Sequence, residues 1–113
     1  MLPKINRLVK KEDFEQVKEK GKRLQGGFFG VLAFETKNNF SRFGFIFSTK
    51  LTKKATQRNR AKRIFREGVQ KILPKIQPGY DIIFLGKRES LNKSFFEVSQ
   101  EVERIMKKAD LLK

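Results

Sequence analysis

Arg58, Asn59, Arg60, Lys62, Arg63 and Arg66 stand within the stretch ATQRNRAKRIFREGVQKIL, residues 55 to 73, whose only acid is Glu67. Guanidinium forks can each bind two oxygens of a phosphate, and Arg outnumbers Lys here. So much like charge repels itself and costs stability, so the missing negative charge belongs to a partner. Other chemistry has few residues to draw on. The sequence contains no His and no Cys, which removes the commonest general base, the commonest metal ligand, and any disulfide or thiolate zinc site. Ser48 and Lys50 would be the remaining nucleophile and base, and Glu12, Asp13 and Glu15 the remaining acidic cluster. Adjacent acids in a first helical turn also complement the helix dipole, which is the reading favoured for that cluster.

Turned at 100° per residue, Arg58, Lys62, Arg66, Asn59, Gln70 and Arg63 fall on one arc of about 140°. Ala61, Ile64, Phe65, Gly68, Val69 and Ile72 fill the opposite side, with Arg60 and Lys71 at the boundary. One face packs on a core and the other is a cationic stripe. The helix start adds backbone donors and partial positive charge beside Arg58 and Asn59. Either Thr56 or Asn59 could cap that start, and Thr56 is the better placed.

The whole chain of 113 residues carries a net charge of +15, from 27 Lys and Arg against 12 Asp and Glu. Between Lys50 and Lys71 nine basic residues face one acid, whereas from Glu89 to Lys113 the signs balance at five each. Such concentration is the footprint of a nucleic-acid binder. A membrane-surface helix is disfavoured because the apolar face is claimed by the strands. No apolar run approaches the roughly 20 residues that cross a bilayer, and the start MLPKINRLVKKEDF lacks a secretory signal's apolar stretch. A cytoplasmic protein without a membrane is the expectation.

Six elements position these residues. A helix is expected over about residues 10–20, with Phe14 and Val17 on one side and Gly21 to stop it. Strands follow at 28–35 and 42–48, joined by TKNNFS as a hairpin connection. In the second, Phe43, Phe45 and Phe47 share one face, expected to be core, and Gly44, Ile46 and Ser48 the other. The basic helix runs over about 56–73, on the order of 27 Å. YDIIFLG (80–86) reads as a strand buried on both faces, and the last helix covers about 92–109 with Phe95, Val98, Val102, Ile105 and Ala109 in one stripe. The order α-β-β-α-β-α gives an α+β fold, a single-domain α/β sandwich over residues 1–113, and charge alone does not decide whether it binds DNA or RNA; the resemblance below implies one RNA-binding domain. A parallel pairing across the basic helix would make a βαβ crossover, right-handed by the general rule.

STKLTKKATQRNRAKRIFRE (48–67) resembles the signature of the bacterial ribonuclease P protein component, and the resemblance extends over EDFEQVKEKG, both early strands, YDIIFLG and the closing helix. It implies a ribosomal-protein-like domain fold whose crossover is left-handed. It also implies the protein subunit of an endoribonuclease ribonucleoprotein that removes the 5′ leader of precursor tRNA. In that family a catalytic RNA subunit performs the Mg²⁺-dependent cleavage, so no catalytic or metal-holding residue is expected in the protein, nor an obligate protein partner. Arg58, Asn59, Arg60, Lys62, Arg63 and Arg66 would contact the catalytic RNA, with Lys50, Lys53 and Lys54 extending that surface.

The family's leader-binding cleft lies between the first helix and the sheet. Phe14 matches an aromatic position of its wall, and Ile46 and Ser48 would lie on its floor. The sequence departs from the family pattern where Lys18 and Leu32 replace cleft aromatics, and where Lys53 and Thr56 replace Gly and Val. A leader grip relying on charge through Lys18 is the expectation from those departures. A ribosomal or ribosome-associated RNA binder without a cleavage role is the alternative reading, and an autonomous nuclease the third.

Overall fold

The computed structural model describes residues 2–113. Its elements are α1 (Lys11–Lys20), β1 (Lys22–Gln25), β2 (Phe29–Glu35), β3 (Arg42–Ile46), α2 (Ala55–Ile72), β4 (Tyr80–Gly86) and α3 (Phe95–Lys108), with short 3-10 turns at Lys4–Asn6, Leu73–Lys75 and Arg88–Asn92. The architecture is the expected α+β layer structure, with one strand more than the sequence suggested. β1 is polar and mostly exposed, so it carries no alternating apolar signal. It exists because its backbone pairs antiparallel with β2, placing Leu24 opposite Val31.

The strand order is β1-β2-β4-β3. This overturns the expected hairpin between β2 and β3: β4 lies between them, antiparallel to β2 and parallel to β3. The segment 36–41 spans that intervening strand, and it does so by bonding to the turn that leads into β4. The Thr36 N–H donates to the Gly79 carbonyl at 2.6 Å, and the Gly79 N–H donates to Phe40 at 3.3 Å. The Ser41 hydroxyl donates to the Gln77 carbonyl at 2.7 Å and accepts from the Tyr80 N–H at 3.1 Å. Gly79 makes this turn with a φ of +93°, a conformation a Cβ would disfavour.

Strand alternation sorts the core onto two faces. Phe29, Val31, Phe43, Phe47, Ile82 and Phe84 face α2 and α3, meeting Phe65, Val69, Val98 and Val102 in the main core. Phe43 and Phe47 are buried as expected and Phe45 is half-buried, its ring stacked on Phe84 at 5.5 Å. The other face carries Leu32 and Ile83, which pack with Leu8 and Val17 beneath α1. β4 runs between two neighbours and is largely buried on both faces, as its apolar run required.

Two local networks fix the helices on this frame. Arg42 of β3 holds Asp81 of β4 through two hydrogen bonds, Nε to Oδ1 at 2.9 Å and Nη2 to Oδ2 at 2.6 Å. Its Nη1 reaches Asp13 of α1 at 3.1 Å, so one guanidinium ties the first helix to the sheet. The hydrogen bond to Asp81, itself 1 % exposed, raises the Arg42 pKa further. Asp13 therefore has a structural partner besides its place in the first helical turn. At α3, Ser94 accepts from the Glu97 N–H at 3.2 Å and Glu97 accepts from the Ser94 N–H at 3.1 Å, a capping box.

Candidate nucleic-acid interface

The cationic arc of α2 forms because Ala61, Phe65, Gly68, Val69 and Ile72 bury the opposite side. Asn59, Arg60, Arg63 and Arg66 are exposed, Arg58 and Lys62 half-buried, and Lys50, Lys53 and Lys54 exposed on the approach. None of these cations pairs with an acid among the described residues. Two are partly engaged with the fold. Arg58 donates from Nη1 to the Thr52 carbonyl at 2.8 Å, and Arg60 from Nη1 to the Leu91 carbonyl at 3.3 Å. The Arg66 guanidinium lies 5.8 Å from the Phe45 ring centroid, within cation–π range.

The helix start differs from expectation. Its N-cap is Lys54, which makes no side-chain capping bond, and Thr56 and Asn59 both lie inside the helix. The bracing comes from Thr52: its Oγ1 accepts from the Lys54 N–H at 3.2 Å, and its hydroxyl donates to Gln57 Oε1 at 2.7 Å. A threonine before the helix can bond backbone two residues on, which frees Asn59 to face solvent.

On the α1 face the strand register lays out two neighbouring rows. Leu32, Ile83 and Gly44 form the row beneath α1; Gly30, Leu85 and Ile46 form the next, with Gln25 at its end. Phe14 packs against Gly44 so closely that a Cβ there would come within 2.5 Å of the ring. Leu32 is 6 % exposed and belongs to the packing under α1, which leaves it little surface for a ligand. Ile46 and Leu85 are half-buried, Phe14 half-buried, and Lys18 exposed one turn later. Ser48 is exposed beyond the end of β3, its Oγ accepting from the Lys50 N–H at 3.3 Å.

Phe14 and Ile46 both pack against the Leu8, Val17, Leu32 and Ile83 cluster, while Lys18 on α1 and Ser48 past the end of β3 are exposed. The pairing of β4 with β3 sets Leu85 beside Ile46, and its pairing with β2 sets Gly30 beyond Leu85, neighbours that no local sequence signal reveals. Phe14 is the residue that links the arc of α2 to the α1 side of the sheet. A cavity at the outer edge of β3 is lined by Phe14 and Gly44 on one side and by Arg63 and Arg66 on the other.

Among the described residues no group of three or more His, Cys, Asp or Glu side chains could hold a metal ion. Asp13 is engaged with Arg42, and Glu15 lies 4.0 Å from Lys11. No helix among the described residues is long and apolar enough to cross a membrane.

Residues 2–110 match the family model described as Ribonuclease P. The chain belongs to the ribonuclease P protein component family. The protein component of Alkaliphilus oremlandii is 34 % identical over 96 % of this chain and 94 % of its own, and that of Clostridioides difficile 31 % over 92 % and 91 %. Among solved structures, the RNase P protein of Staphylococcus aureus superposes with a TM-score of 0.85 at 26 % identity, covering 96 % of this chain and 98 % of that one. A mutant of the S. aureus protein described as defective in mRNA degradation activity gives 0.86 at 27 %, covering 96 % and 91 %. The RNase P protein of Thermotoga maritima gives 0.81 at 29 %, over 90 % and 96 %. Family membership makes the chain the protein part of an endoribonuclease complex of tRNA processing, with an RNA subunit as its partner.

Proposed function

We propose that the α2 arc, with Lys50, Lys53 and Lys54, binds the catalytic RNA while the groove beside α1 holds the single-stranded 5′ leader of precursor tRNA, in the cytoplasm. One observation carries the reading: the α2 cations, without acid partners among the described residues, reach with Arg63 and Arg66 a cavity at the β3 edge that Phe14 of the α1 wall also lines. The cations suit phosphates, whose contacts position an RNA without reading its sequence. The groove offers Phe14, Ile46 and Leu85 to unstacked bases, and contacts of that kind tolerate any leader sequence. Lys18 supplies charge where the family pattern has an aromatic ring. In this reading Mg²⁺ is held by the RNA, and the protein acts by binding and orienting substrate as one RNA-binding domain.

Lys18→Ala tests the groove. It should weaken binding of precursor tRNA to the reconstituted complex, flatten its log–log salt slope by about 0.7 as expected for one lost single-strand phosphate contact, and leave mature tRNA unaffected. Equal loss for both substrates would rule the charge grip out.

A second reading, RNA cleavage by the protein alone, draws support from the S. aureus mutant described as defective in mRNA degradation activity. Against it stands a chain without His, whose described acids do not converge. Incubating the purified protein with mRNA in the absence of any RNA subunit separates the readings, since only the second expects cleavage.

A further inference from the structure

Between the N-terminal strap, residues 2–9, and α2, the outer edge of β3 opens into a cavity of about 430 Å³. Leu2, Leu8, Val9, Phe14 and the Phe45 ring give it apolar walls, and Arg63 and Arg66 stand at its rim. The strap is pinned in place. The Leu8 N–H donates to the Phe43 carbonyl at 2.9 Å, and Arg7 Nε donates to the Leu2 carbonyl at 2.8 Å. Arg63 meets no acid or carbonyl among the described residues, and Arg66 meets only the face of Phe45. Glu67 is the one acid in the lining.

We propose that this cavity receives one unstacked nucleobase whose flanking phosphates are held by Arg63 and Arg66. The walls suit a flat aromatic body, because Phe14, Phe43 and Phe45 join Leu2, Leu8 and Val9 in the lining; Phe84 and Arg66 already cover the faces of Phe45, so its ring meets the base edge-on, and Arg7 adds a third cation. The rim requires an anion attached to that body, which an apolar peptide or an acyl chain lacks and which free phosphate supplies without filling the walls. The Glu67 carboxylate can accept from an exocyclic amine, which favours adenine, guanine and cytosine over uracil. This site is distinct from the Gly30–Leu85–Ile46 row: it lies on the outer edge of β3 rather than across the sheet, and only Phe14 borders both. The proposal rests on the reading of α2 as the RNA-facing helix.

The test is titration of the ¹⁵N-labelled full chain with adenosine 5′-monophosphate and, separately, with ribose 5-phosphate. The nucleotide should shift the Gly44 and Phe45 amides saturably, and ribose 5-phosphate should leave both unmoved. Val9, 75 % exposed, can be changed without touching the core. Val9→Asp should therefore leave the thermal midpoint intact and weaken the nucleotide at least tenfold. Identical shifts from both ligands, no shift at Gly44 and Phe45, or unchanged affinity in Val9→Asp would each overturn the proposal.

Val9→Cys would be the single cysteine of the chain, so an aryl azide placed there probes the cavity mouth in the assembled complex. A cross-link to an unpaired nucleotide supports the site, and its position assigns the base to the catalytic RNA or to the leader; no cross-link to either RNA overturns it. Normal stimulation of cleavage with Gly44 and Phe45 indifferent to nucleotide would sink this inference alone. Nucleotide binding without any stimulation would sink the parent reading instead.

Discussion

Arg58 and Arg63 lie on the same cationic arc, yet the structure predicts that their removal has different consequences. Arg63 is exposed and meets no acid or carbonyl among the described residues, whereas Arg58 is half-buried and donates to the Thr52 carbonyl at 2.8 Å. Arg63→Ala should therefore change stability by less than about 0.5 kcal/mol, the usual range for a surface substitution. Arg58→Ala should cost about 1–2 kcal/mol, because a hydrogen bond from a charged donor is lost and the segment before α2 is loosened. Toward RNA the two should behave alike. Each phosphate contact contributes about 0.7–0.9 to the slope of log affinity against log salt, so each variant flattens the slope by about that much. Between 50 and 200 mM salt one contact is then worth about threefold in affinity. The assays are urea unfolding followed by circular dichroism, and binding of the catalytic RNA across a salt series. An Arg63→Ala variant with an unchanged salt slope would refute the assignment of this face to phosphate. Equal stability losses in the two variants would refute the structural distinction between them.

Arg42→Met removes the partner of a carboxylate that is 1 % exposed, and should destabilise by about 3–5 kcal/mol in chemical denaturation; a loss below about 1 kcal/mol would contradict the network. Gly44→Ala places a methyl group within 2.5 Å of the Phe14 ring and should cost about 1–3 kcal/mol, with Phe14 displaced in a crystal structure of the variant. Glu101 accepts from Arg104 at 2.8 and 2.6 Å and from the Gly27 N–H at 2.6 Å, and the Arg104 hydrogen bonds in particular hold its pKa below the ordinary 4.5. A carboxylate whose folded-state pKa is depressed stabilises fully above its unfolded value and loses that contribution as pH falls through the folded value. Wild-type stability should therefore decline more steeply below about pH 4.5 than that of Glu101→Gln, as measured by thermal midpoints across pH.

What the sequence disclosed followed from periodicity. α2 declared itself because an eighteen-residue helix must bury one side, and Ala61, Phe65, Val69 and Ile72 left no doubt which side. β4 was legible for the same reason, as an apolar run with no polar alternation. β1 was not, since Lys22, Arg23 and Gln25 are exposed and its pairing with β2 is a backbone matter. The order of strands was misread because TKNNFS has turn-like residues, and nothing local reveals that β4 will insert between its flanks. That long-range pairing also decides the groove. Ile46 could be named as floor from alternation within β3, but Leu85 and Gly30 join it only through the register with β4 and β2. Leu32 was named through the family pattern, and nothing local reveals that it packs with Leu8, Val17 and Ile83 beneath α1. The N-terminal strap carried no signal at all, being short and irregular, although it closes the cavity beside Arg63 and Arg66.

The most direct measurement is single-turnover cleavage of precursor tRNA by the family's catalytic RNA at limiting Mg²⁺, with and without this chain. The account expects the protein to lower the Mg²⁺ needed and to tighten precursor over mature tRNA. It expects a variant with Arg58, Arg60, Arg63 and Arg66 all changed to Ala to do neither while remaining folded. Cleavage that proceeds identically with and without the wild-type chain at scarce Mg²⁺ would contradict it.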